Sequence, residues 1–190
     1  MSAPTFTETE EQTHSTFLTM MWALSHPGRL FELGPGTGSV YNMTLAAQTL
    51  LDLETSFYTP DIELAEALSR TTAVSATPDK AFYHFYPSVV KTDLEMIAEA
   101  RVGEMMYPDR GATLVLGCRL GTGDKYTFSG PGIQGETAVK IAFLPPEFWE
   151  LREQKIQYPL GWDVFLIDGN RVIGIPRTTK VRQAEPMITT

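Results

Sequence analysis

Hydrophobic residues near the start of the chain recur with the period of an α-helix. Four large apolar residues are spaced i, i+3, i+4 and i+7: Phe17, Met20, Met21 and Leu24. Three carboxylates precede them, at positions where they favour the helix dipole: Glu8, Glu10 and Glu11. Because proline cannot continue a helix and glycine opens a turn, the tetrapeptide "SHPG" at 25–28 should end this helix.

The rest of the first half alternates short apolar strands with helices. Strands are predicted at 29–33, 55–59, 73–76 and 81–86. Helices are predicted at 42–53, after Asp61, and at 93–103. Asp61 can cap the second of these helices, and Thr92 with Glu95 forms a capping-box pattern before the third. Such an alternation is typical of an α/β layered domain.

Antiparallel strands are predicted in the second half. Residues 112–120 and 125–130 have the pattern of a hairpin with its turn at 121–124. A glycine-rich turn, "GPGI", follows this hairpin. Another strand is predicted at 137–144.

The chain should end with a helix and a second hairpin. Two prolines, Pro145 and Pro146, introduce a helix at 147–154, since proline is tolerated in the first helical turn. The hairpin joins 162–167 to 171–175 through Asp-Gly-Asn, and Asp-Gly between apolar strands is a strong hairpin signal. We therefore expect one α/β domain over residues 1–190, with an ordered core at about 14–182. Its architecture should be a layered mixed sheet with helices on both faces.

The charge distribution excludes one large class of partner. The 190 residues carry a net charge of -8, and residues 1–95 hold four basic against twelve acidic side chains. Binding of nucleic acid needs an extended basic face, which this chain lacks. No apolar run approaches the length of a membrane span, the N-terminus lacks the features of a signal peptide, and a single cysteine, Cys118, fits a reducing compartment. We expect a cytoplasmic protein that binds neither nucleic acid nor membrane.

The familiar catalytic and cofactor motifs are missing from the sequence. The loop "GPGTGS" at 34–39 could cradle phosphate, but it lacks the ending of a P-loop and the spacing of a dinucleotide fingerprint. His14, His26 and His84 are far apart, so no metal site is expected. Cys118 lies in an apolar strand and should be a core residue. None of the six lysines has a setting that predicts a depressed pKa, as a cofactor Schiff base would need, so no cofactor is expected.

The segment "GIPRTTKV" at 174–181 leaves two interpretations open. Arg177 offers a planar fork of donors for a carboxylate or phosphate, and Thr178 and Thr179 add hydroxyl groups, so the three could hold an anion or a partner. In the other interpretation, Arg177 pairs with a buried carboxylate such as Asp163 and fixes the last hairpin to the sheet. Chemistry alone favours the second.

This same region carries a family resemblance. The stretch "YPLGWDVFLIDGNRVIGIPRTTKV" closely resembles the end of PhnH, the H subunit of the bacterial carbon–phosphorus lyase system. "FLTMMWALSHPG" resembles the opening helix of that family, "GATLVL" its central strand, and "FSGPGI" the turn that follows. Motif residues at Gly130, Gly132, Gly161, Asp163 and Pro176 are then expected to be structural. The resemblance extends from about Phe17 to Val181.

The resemblance implies a fold and a role that the composition does not show. It implies an α/β fold similar to the pyridoxal-phosphate-dependent transferases, without their cofactor pocket and lysine. It also implies a homodimer that assembles with the G, I and J subunits. Together these proteins support transfer of a phosphonate to the ribose of ATP, with release of adenine, to give a ribose 1-phosphonate 5-triphosphate. No catalytic residue is carried over, and ATP or phosphonate would bind only within the complex.

Two other functions stay open beside this one. One is a stand-alone enzyme on a transferase-like fold, which would need a reactive lysine. The other is a binding module that holds a phosphonate or nucleotide with the loop at 34–39 and the segment at 174–181. The expected function is that of an accessory subunit, because a full-length resemblance coincides with a missing set of catalytic motifs.

Overall fold

The computed structural model describes residues 7–36 and 38–184. Five helices are found in these ranges: α1 Glu8–Ser25, α2 Ser39–Leu50, α3 Ile62–Leu68, α4 Asp93–Glu99 and α5 Glu147–Lys155. The strands of the first half are β1 Phe31–Glu32, β2 Ser56–Tyr58, β3 Val74–Ser75 and β4 Tyr83–Tyr86. Those of the second half are β5 Val102–Glu104, β6 Tyr107–Gly111, β7 Thr113–Gly117, β8 Arg119–Ser129, β9 Glu136–Ala142, β10 Asp163–Asp168, β11 Arg171–Ile175 and β12 Lys180–Gln183.

A seven-stranded mixed sheet forms the centre of the fold. Its strand order is β1-β11-β10-β7-β4-β2-β3. Five neighbouring strands run parallel to one another: β10, β7, β4, β2 and β3. Strand β11 lies antiparallel to both of its neighbours, β10 and β1. A second sheet has the order β12-β8-β9, and β5 pairs with β6 alone. The expected α/β class and mixed sheet are confirmed.

Alternate residues of the central strands enter two hydrophobic cores. Val115 and Phe165 face the core under α1, α2 and α3, together with Met20, Met43 and Leu64. Leu114 and Leu166 face the opposite core, which α4, α5 and the second sheet cover. Successive side chains of a strand point to opposite faces of the sheet. Because these strands have apolar residues on both faces, other elements must pack against each face. The prediction of helices on both faces is therefore confirmed.

The first predicted hairpin is wrong. Strand β7 lies in the central sheet between β10 and β4, whereas β8 continues without a turn through residues 121–124 and pairs with β9 in the second sheet. The "GTGD" segment is instead an irregularity in the β8–β9 register between Leu120 and Asp124. The true hairpin joins β8 to β9 through the glycine-rich turn. Local alternation marks strands but does not say which sheet they join.

The helix caps correct one local prediction and confirm another. Thr92 makes no side-chain cap and has helical dihedral angles itself, while the carboxylate of Asp93 accepts from the amide of Val90 at 2.8 Å. The predicted cap at Asp61 is confirmed, with Oδ1 accepting from the Leu64 amide at 2.8 Å. A capping box that the sequence analysis missed joins Thr7 and Glu10 at the start of α1. No helix in the described ranges is long and apolar enough to cross a membrane.

Candidate functional site

The segment that follows β11 is tied to the fold by an ion pair. Asp163 begins β10, and its carboxylate accepts from Arg177 at three atoms: the amide at 2.8 Å, Nη2 at 2.7 Å and Nε at 3.4 Å. Nη1 of Arg177 donates to the carbonyls of Pro108 at 2.5 Å and Pro159 at 3.3 Å. Every nitrogen of this guanidinium therefore has an acceptor within the chain, as the structural interpretation of Arg177 requires.

A second arginine supports the same segment from helix α5. Arg152 is only 3% exposed, and its Nη2 and Nη1 donate to the carbonyls of Pro176 at 2.8 Å and Thr179 at 3.1 Å. Its Nε has no hydrogen-bond partner among the described residues, and no carboxylate there forms an ion pair with it. Burial lowers the pKa of this guanidinium to about 10, and the charge of Asp163 opposes part of that effect. Arg152 thus remains a buried cation at neutral pH.

These groups border a cleft of about 580 Å³, which we call the Arg152 cleft. It lies between the end of α5 and the segment leading into β12. Its lining residues are Pro131, Trp149, Arg152, Glu153, Ile156, Tyr158, Arg177, Thr178, Thr179, Lys180, Val181 and Arg182. All three residues predicted to bind an anion or partner, Arg177, Thr178 and Thr179, therefore line one cavity.

The glycines of the predicted motif allow close backbone approaches around this segment. Gly130 has φ +136°, and a Cβ there would lie 2.9 Å from the carbonyl oxygen of Thr178. Gly132 has φ +82°, and a Cβ would lie 2.6 Å from the carbonyl oxygen of Ser25 at the end of α1. Other side chains would be strained at both positions. The turn after β8 thus touches both the helix stop and the C-terminal segment.

The remaining motif residues lie where the last hairpin meets the sheet. Gly161 precedes β10, and its amide donates to the Val102 carbonyl at 2.9 Å. Pro176 directly follows β11, and its carbonyl accepts from Thr179 at 2.9 Å as well as from Arg152. The first contact joins the start of β10 to β5, and the second joins the segment after β11 to α5.

The other candidates from the sequence lie elsewhere. In the loop before α2, Nδ2 of Asn42 donates to the carbonyls of Gly36 at 2.8 Å and Gly38 at 3.0 Å, while Thr37 lies outside the described residues. His84 is buried in β4, where burial lowers its pKa to about 4. Cys118 is a core residue as expected, and burial raises its pKa to about 12. Within the described ranges, no group of His, Cys, Asp and Glu is arranged to hold a metal ion.

Helix α1 has apolar residues on two opposite faces. Its inner face buries Thr16, Met20 and Ala23 against the central sheet and α2. The opposite face, which we call the outer face of α1, consists of Phe17, Leu18, Met21 and Trp22, which are 36–49% exposed. The predicted helix is confirmed, but of the residues spaced i, i+3, i+4 and i+7 only Met20 is fully buried.

Arg152 and the outer face of α1 were missed by the sequence analysis. Arg152 belongs to "EFWELREQ", which has the charge content of a solvent-exposed helix, so no local signal indicates its burial. The outer face had a signal, because Leu18 and Trp22 widen the apolar stripe beyond one side of the helix. A helix that is apolar on both sides usually has a partner on both.

Comparisons with known proteins agree with this arrangement of motifs. The family model described as "Bacterial phosphonate metabolism protein (PhnH)" matches residues 4–182. A protein of Stutzerimonas stutzeri named "Putative C-P lyase subunit protein HtxG" is 33% identical over 172 residues, which cover 88% of this chain and 84% of that protein.

A second relative, from Rhizobium meliloti (strain 1021), is named "Alpha-D-ribose 1-methylphosphonate 5-triphosphate synthase subunit PhnH". It is 26% identical over 195 residues, covering 90% of this chain and 91% of the relative. The family model covers nearly the whole chain, including the helix stop, the glycine-rich turn and the Asp163–Arg177 segment. The chain therefore belongs to the PhnH family of bacterial phosphonate metabolism proteins.

Proposed function

We propose that this chain is an accessory subunit of a carbon–phosphorus lyase complex. In this role it supports the transfer of a phosphonate to the ribose of ATP, with release of adenine. Family membership and the names of the two relatives, each called a subunit, support the assignment. The chain would act by assembly with subunits of the G, I and J types.

The observation that supports an assembly role is the outer face of α1. Phe17, Met21 and Trp22 are large apolar side chains, and each is more than 40% exposed although α1 already has an inner face in the core. Grouped exposure of this kind marks an interaction site, whereas single exposed apolar residues are ordinary. We propose that another subunit of the complex covers this face.

The charges at the start of α1 indicate what that subunit should offer. Three exposed carboxylates lie in the first turn of the helix: Glu8, Glu10 and Glu11. An apolar centre with an acidic rim is complementary to an apolar patch bordered by lysine or arginine. We therefore expect the partner to contact α1 with apolar residues and to place basic residues near its first turn.

Further features of the proposal follow the family resemblance. We propose a single domain over the whole chain, a fold similar to pyridoxal-phosphate-dependent transferases without the cofactor site, a homodimer within the larger assembly, and a cytoplasmic location. No cofactor is assigned. The transfer between ATP and the phosphonate would take place only within the complex.

Reconstitution tests the proposed function. All subunits of the same source are expressed together in a host lacking its own phosphonate genes, with and without this chain, and growth is measured on methylphosphonate as sole phosphorus source. We expect growth only when the chain is present and equal growth of both strains on inorganic phosphate. Equal growth on methylphosphonate without the chain would contradict the proposal.

A further inference from the structure

The Arg152 cleft carries a concentration of positive charge on an acidic protein. Four basic side chains and one acidic side chain, Glu153, line it, and Asp163 pairs with one of the four, Arg177. Counting both carboxylates, this part of the surface carries a net charge of plus two, whereas the whole chain carries -8. A concave basic site on an acidic surface attracts anions and focuses their approach.

Three buried polar groups on residues that line this cleft have no hydrogen-bond partner among the described residues, Nε1 of Trp149 being one of them. Nε of Arg152 has no acceptor in the described part of the chain. The hydroxyl of Thr179, a residue only 2% exposed, also has no hydrogen-bond partner there. Buried donors are normally satisfied, so these unpaired groups, on residues that line one cleft, indicate an acceptor that comes from outside the chain.

We propose that the Arg152 cleft binds a phosphoryl oxyanion, the PO₃ group of a phosphate or phosphonate. Arg152 and Thr179 supply the buried end of the site, and Lys180 and Arg182 neutralise charge at its exposed end. Arg177 attracts the anion through its positive charge and not through hydrogen bonds, because its guanidinium already donates to Asp163 and to two backbone carbonyls.

The number of cations and the shape of the site favour a phosphoryl group over a carboxylate. A single carboxylate is matched by one arginine, whereas the doubly charged PO₃ group uses several cations and hydroxyl donors. At about 580 Å³, the cleft has room for a substituent beyond the PO₃ group. An acidic segment of another protein is disfavoured, because Arg152 lies below the surface and is only 3% exposed.

Titration calorimetry on the full chain tests the proposal without any other subunit. The probes are inorganic phosphate, methylphosphonate and tripolyphosphate, each at low and at physiological salt. We expect one site per chain that binds methylphosphonate, with affinity falling as salt rises. Equal affinities for phosphate and methylphosphonate would identify the PO₃ group as the recognised element, and tighter binding of tripolyphosphate would identify a chain of phosphates. Absence of heat with all three probes would overturn the proposal.

A matched pair of double variants locates the site. Lys180→Gln with Arg182→Gln removes two charges from β12 of the second sheet, and Lys125→Gln with Lys140→Gln removes two exposed charges from β8 and β9 of the same sheet. We expect about tenfold weaker binding for the first pair and less than a twofold change for the second. Equal losses in both pairs would show a diffuse effect of net charge and would contradict a site in the cleft.

The buried end of the site is tested by Thr179→Val, which removes the hydroxyl at nearly constant volume, and by Arg152→Gln. Because the hydroxyl has no partner in the described part of the chain, Thr179→Val should keep the unfolding temperature and weaken binding several-fold. Arg152→Gln should abolish measurable binding even if its unfolding temperature falls. Undiminished binding by folded Thr179→Val and Arg152→Gln proteins would overturn the assignment. Growth on methylphosphonate is scored separately, so failure of the site and failure of the subunit role are distinguishable.

Discussion

The Asp163–Arg177 junction and the outer face of α1 differ in whether contacts within the chain satisfy their side chains. At the junction, a carboxylate and two backbone carbonyls accept from every nitrogen of the Arg177 guanidinium. On the outer face, Phe17, Met21 and Trp22 leave large apolar surfaces in water. The contacts of the first region are complete within one chain, whereas the second leaves apolar surface for the proposed partner to cover.

This difference separates two consequences of mutation. Changes at the junction should lower the free energy of unfolding, and should affect assembly only as far as they unfold the chain. Changes on the outer face of α1 should leave unfolding almost unchanged and reduce assembly directly. The following variants are ordered by their expected effect on stability.

Asp163→Ala should have the largest effect, a loss of about 3–4 kcal/mol in the free energy of unfolding. It leaves the Arg177 side chain, which is only 14% exposed, without its carboxylate, and it removes the acceptor of the Arg177 amide. Chemical denaturation with urea measures the loss. A change below about 1 kcal/mol would show that the junction is not the structural centre described above.

Two adjacent methionines provide the next test within α1. Met20 lies on the inner face and is 2% exposed, whereas Met21 lies on the outer face. Met20→Ala should lower the free energy of unfolding by about 2–3 kcal/mol, because it leaves a cavity against the central sheet. Met21→Ala should change it by no more than about 0.5 kcal/mol. Equal losses, measured by denaturation of both variants, would remove the distinction between the two faces.

Arg177→Lys should cause a smaller loss, about 1–2 kcal/mol. Lysine retains the positive charge beside Asp163 but cannot reproduce the fork that reaches the carboxylate and the carbonyls of Pro108 and Pro159 together. Thermal unfolding of this variant beside Arg177→Met separates charge from geometry. If Arg177→Lys were as stable as the wild type, charge alone would account for the stabilisation by the Asp163–Arg177 pair.

A small effect on stability is also expected for the last variant, Phe17→Ser combined with Trp22→Ser. Both side chains are about half exposed, so their removal should change the free energy of unfolding by less than about 1 kcal/mol. The same variant should be incorporated less into the complex after co-expression with the other subunits, measured by the native mass of the assembly. A large loss of stability would place these residues in the core of the chain instead.

The sequence predicted the elements of this fold better than their pairing. The helix α1, the cap at Asp61 and the Asp-Gly turn between β10 and β11 have local signals, and the structure confirms each element, although the buried face of α1 is formed by Thr16, Met20 and Ala23. The pairing of β7 and β8 was wrong, because the two strands are adjacent in the sequence and only tertiary packing places them in different sheets. Short-range patterns contain no information about that choice.

The candidate site was predictable only in part for a similar reason. Arg177 and Asp163 could be proposed as partners, since one follows a predicted strand and the other begins its neighbour in the hairpin. Arg152 could not, because its burial depends on how α5 packs over the segment at 176–179, twenty-four or more residues away. Long-range packing thus determined which arginine keeps an unpaired donor.

The central claim is that the outer face of α1 joins this chain to the other subunits. The most direct test is the native mass of the assembly after co-expression with the G, I and J subunits of the same source. The variant is Met21→Ser with Trp22→Ser, and the control is Leu53→Ser with Ile62→Ser, two highly exposed apolar residues outside α1. We predict a stoichiometric complex for the wild type and the control, and a complex lacking this chain for the α1 variant. Retention of the folded α1 variant in a complex of unchanged mass would contradict the account.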